Sequence, residues 1–147
     1  MSDEQRPAES FPGVIRGDGY AVAPLDALGE GYGFRRVRRG LEVQSCGANV
    51  IVLPPRYETG VHLHAEQEEL YFVHAGSIEL ELGEEGTRHA LEAGAVARVD
   101  APVARRLRNV GTVDAVVLVV GGKDGYVGRD GLLPEGEHRP GGFIDPA

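Results

Sequence analysis

Several things are scarce in this chain. Tryptophan is absent, methionine occurs once, and the only cysteine is Cys46. A lone thiol cannot form an internal bridge, so no disulfide framework staples the fold, and a reducing cytoplasm is the expected location. Long apolar runs are also missing. The longest, Ala115 to Val120, falls far short of the ~20 residues of a membrane helix. The first ten residues, MSDEQRPAES, lack the apolar stretch of a secretory leader. Positive charge is in deficit too, with 15 Lys+Arg against 23 Asp+Glu and a formal net charge of −8. Nucleic acids and anionic membranes are bound by clustered positive fields, so neither is an expected partner.

What the chain has in quantity is turns. Its 22 glycines and 9 prolines make 31 of 147 residues, about a fifth against an average near 12%. Between them lie short runs of strand character. Val50 to Leu53 is β-branched and stopped by Pro54-Pro55, Leu70 to Val73 is compactly apolar, and Ile78 to Leu82 alternates apolar with acidic residues. Such a period of two places one face in a core and the other in water. Gly83 to Gly86 turns the chain, and Thr87 to Leu91 is placed to return as the hairpin partner. Val96 to Val99, Arg105 to Val110 and Ala115 to Val120 continue the series. No window of helical length carries a 3.6-residue apolar stripe, and only Pro24 to Glu30 suits a helical turn. The pattern predicts an all-β barrel or sandwich. A length of 147 residues suits one domain, with a flexible arm over 1–16, a barrel over 17–122 and a Gly/Pro-rich tail over 123–147. The tail's apolar pairs, Leu132-Leu133 and Phe143-Ile144, predict that it lies on the barrel or on a partner.

The chemistry concentrates at His62 and His64, which are followed by Glu66, Glu68 and Glu69. Two imidazoles at i and i+2 on a strand project from one face, and with a carboxylate they make a ligand set for Fe, Mn, Ni or Zn. Four residues separate His64 from Glu69 and six separate Glu69 from Gly76. This spacing resembles the first motif of the cupin superfamily, and Gly94 to Gly111 resembles the second. The resemblance covers about residues 60–120. It implies a double-stranded β-helix, or jelly roll, with a metal or small-molecule site in its mouth, and a homodimer.

Strand parity refines the site. Glu69, Tyr71 and Val73 share one face, and Leu70, Phe72 and His74 share the other, so an inward Glu69 excludes His74 as a ligand. Glu68 is the rival to Glu69, and the spacing to Gly76 favours Glu69. Leu70 and Phe72 then form an apolar outer face that needs cover.

The second motif departs from the family. Its histidine position, four before Asn109, holds Arg105, and its Pro-x-Gly reads Asp100-Ala101-Pro102. Arginine stays protonated and offers no lone pair to a metal. A guanidinium ~5 Å from a divalent ion would be repelled by roughly 7 kcal/mol at an effective dielectric near 20. Two arrangements follow. In one, His62, His64 and Glu69 hold a metal while Arg105 leans aside or clamps an anionic ligand. In the other, Arg105 takes the cation's place beside Glu69 and the cavity is metal-free. A one-residue slip that turned Arg105 outward would put Leu107 in water.

The expected function is thus an oxygenase or isomerase acting on a small carboxylated metabolite, with Arg105 clamping the substrate and Tyr71 relaying a proton. A non-catalytic anion-binding cupin and a dimeric scaffold are the alternatives. Arg35-Arg36-Val37-Arg38-Arg39 lacks interleaved aromatics and reads as a solvated strand or a donor of intersubunit salt bridges. The glycines of Gly29 to Gly33 have the wrong spacing for a dinucleotide loop. No serine stands in a G-x-S-x-G context, Cys46 reads as a small hydrophobe, and His89 and His138 stand alone.

Overall fold

A computed structural model of the protein describes residues 10–134. The expectations for 1–9 and for the Phe143-Ile144 pair lie outside the described residues. The chain opens on a hairpin of β1 (Ile15–Gly17) and β2 (Tyr20–Val22), so Ile15 and Arg16 of the expected arm belong to a strand. A 3-10 turn at Leu25–Ala27 falls inside the expected helical turn. Then come β3 (Gly33–Arg35), a one-turn helix α1 (Val37–Leu41) and β4 (Gly47–Leu53). The centre of the chain forms β5 (Leu63–His64), β6 (Glu68–Ala75), β7 (Ser77–Leu82), β8 (Thr87–Glu92) and β9 (Val96–Val99). The last elements are β10 (Arg105–Asn109), β11 (Ala115–Gly122) and β12 (Gly131–Leu132). Among the described residues no helix is long and apolar enough to cross a membrane.

The strands pair antiparallel into a five-stranded sheet of order β3-β4-β11-β6-β9 and a three-stranded sheet of order β10-β7-β8, with β5 and β12 as a separate pair. The fold is an all-β jelly roll. Every strand predicted from the period-two pattern is present. The arginine run is the exception. Only Arg35 belongs to a strand, and from Val37 the chain winds into α1 instead. Arginine is a good helix former, and five residues are too few to display a 3.6-residue period.

Parity sets the core. Val117 pairs with Ile51 on one side and with Val73 on the other, and all three point inward. Ile78, Leu80 and Leu107 of the smaller sheet complete the same apolar cluster. Each such side chain contributes about 1.5–3 kcal/mol when removed from water. A slip of β10 by one residue would forfeit Leu107 and drive Arg106 and Arg108 inward. Those two arginines instead lie outward, where Arg106 stands opposite Glu81 and Arg108 opposite Glu79. Arg108 Nε donates to Glu58 Oε2 at 2.6 Å and Nη1 to Glu79 Oε1 at 3.3 Å. Exposed pairs of this kind stabilise little individually, but as cross-strand neighbours they favour this register over its neighbours. On the larger sheet's outer face Leu70 is 46% exposed and Val96 63% exposed.

Gly76 alone links β6 to β7, and it does so with φ +76°. A Cβ there would lie 2.7 Å from the Asp114 carbonyl oxygen and 2.9 Å from Ala115 Cα. The position combines a left-handed backbone with contact against the neighbouring strand. Gly76→Ala is expected to destabilise the fold by about 2–4 kcal/mol, read as a lower urea midpoint with unchanged slope. An unchanged midpoint would contradict this account of the turn.

Candidate functional site

The first motif meets the second through the backbone. His62 N–H donates to the Arg105 carbonyl at 3.1 Å and Arg105 N–H donates to the His62 carbonyl at 2.8 Å. His64 N–H donates to the Ala101 carbonyl at 2.9 Å. These bonds hold the extended segment around β5 against the start of β10. With both side chains on one side of that segment, the imidazole centroids lie 5.1 Å apart with ring planes at 84°. Across the cavity, β6 turns Glu69 and Tyr71 inward and leaves Glu68 and His74 exposed.

Glu69 Oε1 is the meeting point. Tyr71 Oη donates to it at 2.7 Å and Arg105 Nη1 at 3.1 Å. His64 Nε2 lies 3.0 Å from the same oxygen and His62 Nε2 3.9 Å. Burial works to raise the Glu69 pKa. The bonds from His62, His64 and Tyr71 outweigh it and hold the carboxyl well below the usual carboxylate range. One ligand atom from each of His62, His64 and Glu69 lies within 4.8 Å of the others. Donors bound to one transition ion at about 2.0–2.2 Å stand roughly 3–4 Å from one another, as His64 Nε2 and His62 Nε2 do from Glu69 Oε1, so this set could hold a metal.

A residue from outside both motifs orients the site. Asp130, just before β12, accepts from His64 Nδ1 at 2.7 Å, taking the imidazole as its neutral Nδ1–H tautomer or as imidazolium. Its carboxylate also accepts from the backbone N–H of Glu66 at 2.8 Å and of Gln67 at 2.9 Å, and from Gln67 Nε2 at 2.5 Å. Burial pushes the Asp130 pKa up, but these bonds prevail and the net shift is downward. Burial likewise works to lower the His64 pKa. Contact with Glu69 and Asp130 prevails there, and the net shift is upward. A carboxylate behind a ligating imidazole fixes its tautomer and raises its basicity. Nothing in the first motif's spacing pointed to Asp130. The one available signal was the apolar content of the tail, whose Gly131 and Leu132 do pair with His64 and Leu63.

Arg105 pairs with Glu69 at 3.1 Å, as in the second of the two arrangements expected for it. Its side chain is 0% exposed, it does not line the cavity, and its Nη2 donates to the Asp100 carbonyl at 2.6 Å. It sits against the Glu69 carboxylate. Its effect passes through the carboxylate. Tyr71, by contrast, does line the cavity, together with His62, His64 and Glu69.

The cavity measures about 260 Å³, slightly below the ~300–1,000 Å³ of drug-sized pockets. Its wall holds a feature that the sequence pattern did not suggest. Arg36, Arg38 and Arg39, expected on a solvated strand or as donors of intersubunit salt bridges, line it together with Arg129. From Val37 a short helix stands in place of the strand, one of the two alternatives, and sets Arg38 and Arg39 beside the cavity.

An all-β jelly roll with two histidines and a glutamate gathered at a cavity defines the class of protein. Residues 49–121 match the family model of the cupin domain, and this stretch of the chain is a cupin domain. The chain is similar to a sugar phosphate isomerase of the cupin superfamily from Silicibacter pomeroyi, at 28% identity over 71% of this chain and 68% of that one, with a TM-score of 0.57. A putative sugar phosphate isomerase from Acidithiobacillus ferrooxidans is 26% identical over 60% of this chain and 56% of its own length, with a TM-score of 0.54. An uncharacterised protein with a double-stranded β-helix domain from Klebsiella pneumoniae shares the fold at 20% identity, with 70% and 90% of the two chains covered and a TM-score of 0.59. Among curated proteins no sequence matches.

Two outcomes test the geometry. A proton held by His64 competes with a metal. Because that pKa is raised, the competition extends toward neutral pH. Zinc affinity is therefore expected to fall from pH 8 to pH 6, with protons released on binding, seen as a calorimetric heat that depends on the buffer's ionisation enthalpy. Asp130→Asn is expected to weaken zinc about 10–100-fold, whereas Arg105→His is expected to strengthen it by replacing a buried cation with a fourth ligand. Unchanged affinity in both variants would sink this description of the site.

Proposed function

We propose that this cupin domain holds a divalent transition metal on His62, His64 and Glu69 and isomerises a small anionic sugar metabolite in the adjoining cavity. The observation that carries the reading is the convergence of the three donors at the cavity, with Asp130 orienting His64 from behind. Support for the reaction class comes from the likeness to two proteins described as sugar phosphate isomerases.

When bound, the metal would supply Lewis-acid polarisation of a substrate oxygen. The rest falls to the chain's own residues. Glu69 carries the negative charge that offsets the ion, and Arg105 donates to that carboxylate. Tyr71 lines the cavity with its hydroxyl 2.7 Å from Glu69 and is the group positioned to pass a proton. An aldose–ketose interconversion needs nothing more by way of redox partner. The hydrogen lost from one carbon returns to its neighbour while carbonyl and hydroxyl exchange places.

The Arg105–Glu69 pair at 3.1 Å supports a second reading, in which the arginine stands in for the metal and the cavity binds an anion without catalysis. Metal analysis of protein purified without chelator or nickel resin separates the two. Near-stoichiometric metal, with interconversion of aldose and ketose phosphates that is abolished in His64→Ala, is the expected result. A metal-free protein that takes up no added zinc or iron would establish the second reading. Oxygen consumption by the iron-loaded protein would point to an oxygenase instead.

A further inference from the structure

We infer that Gln67 is a positioning residue. Its carboxamide fills the space left by Gly121, turns the Asp130 carboxylate toward His64, and so sets how that imidazole presents its other nitrogen. The inference rests on the proposed function only in taking His64 as a metal ligand.

Parity brings Gln67 to the site. It lies two residues before Glu69 and immediately before β6, shares a face with Glu69 and Tyr71 by the strand period, and lines the cavity with them. Across that face, Gly121 of β11 stands in register with Glu69 on one side and with Gly47 on the other. Val117 and Val119 hold the preceding inward positions of β11, and the alternation leads to a third apolar residue at 121. Glycine stands there instead. Its φ is not positive, so the backbone does not require it. Glycine weakens the interior of a strand and marks a place where another group approaches closely. That group is Gln67. A Cβ at Gly121 would collide with Gln67 Oε1 and lie 3.2 Å from its Cδ. At Gly47 a Cβ would stand 3.9 Å from Oε1, an ordinary contact.

Hydrogen-bond polarity fixes how the carboxamide is turned. An ionised carboxylate only accepts, so Gln67 Nε2 faces Asp130 Oδ1, at 2.5 Å, and Oε1 is left against Gly121. His64 Nδ1 lies 2.7 Å from the same Oδ1. The other oxygen, Oδ2, accepts from the backbone N–H groups of Glu66 and Gln67. Those two bonds anchor one oxygen and let the carboxylate pivot about it. The Gln67 side chain holds the end that meets His64. With Oδ1 in place, the proton of His64 is kept on Nδ1, and the lone pair of the neutral ring falls on Nε2, the nitrogen 3.0 Å from Glu69 Oε1. A methyl group at Gly121 would push the carboxamide off Asp130 and loosen this chain of contacts from two residues away.

The test uses the isotope-labelled full chain with chelator and reads the imidazole nitrogen shifts of His64, assigned by comparison with His64→Ala. These shifts report which ring nitrogen carries the proton. In the unaltered chain Nδ1 is expected to be protonated. Gly121→Ala and Gln67→Ala are each expected to populate the form protonated on Nε2 alone, whereas Gly47→Ala is not. After removal of the chelator, zinc affinity is expected to fall about 3–10-fold in both variants, less than the ~10–100-fold of a group that touches the ligand itself. Gln67→Ala/Gly121→Ala is expected to bind zinc no more weakly than Gln67→Ala, because both changes act through one contact. Gln67→Ala leaves every backbone bond in place and decides the matter if Gly121→Ala does not fold. His64 shifts unchanged in both variants, equal movement in Gly47→Ala, or zinc affinity unchanged in both would overturn the inference. Additive losses in the double variant would overturn the link between Gly121 and Gln67. Shifts that move as expected in a protein that takes up no zinc would uphold the positioning role while removing the proposed function.

Discussion

A buried carboxylate organises this molecule. Removing a carboxylate from water costs several kcal/mol even after the protein relaxes around it, so Glu69 is tolerable inside the fold only while its partners are in place. Those partners come from three elements: Tyr71 two residues along β6, Arg105 at the start of β10, and His62 and His64 from the segment around β5. The convergence depends on the strand registers. A slip in β6 would put Glu68 where Glu69 stands, and a slip in β10 would replace Arg105 with Arg106. Apolar burial on the inner faces, Val73 beside Glu69's strand neighbours and Leu107 beside Arg105, penalises both slips.

Arg105 changes what this carboxylate does. A neutral imidazole at that position would add a lone pair to the ligand set. The guanidinium adds a permanent positive charge, competes for the same carboxylate oxygen, and is anchored by the Asp100 carbonyl. The site therefore has a cation built into one of its walls. Metal occupancy becomes a balance between attraction to Glu69 and repulsion from Arg105. Asp130 acts in the opposite direction, because its negative charge behind His64 makes that imidazole a better donor. Asp130 acts on His64 and Arg105 on Glu69, and they tune the ligand set in opposite senses.

The tail and α1 turn a metal-type cluster into a cavity. Residues 126–131 form one part of the wall and α1 with its preceding arginine forms another. Neither segment falls within residues 49–121, which match the cupin family model. The jelly roll provides the ligand cluster, and the segments outside it provide the polarity of the space above.

Much of this was legible in one dimension. Alternation at Ile78 to Leu82, the β-branched run at Val50 to Leu53 and the spacing of His62, His64, Glu69 and Gly76 each depend on contacts within a few residues, or on the strand period of two. These local regularities determined the strands, the inward choice of Glu69 over Glu68, and the inward position of Arg105. Asp130 stands 66 residues from His64 and belongs to no periodic segment, so only the folded chain could bring them together. In the run from Arg35 to Arg39 the strand ends at Arg35 and the chain winds into α1 from Val37. A one-turn helix is too short to leave a periodic trace. Side-chain direction follows from local geometry within a strand. For a loop or a short helix it follows from neighbours that are remote in the chain.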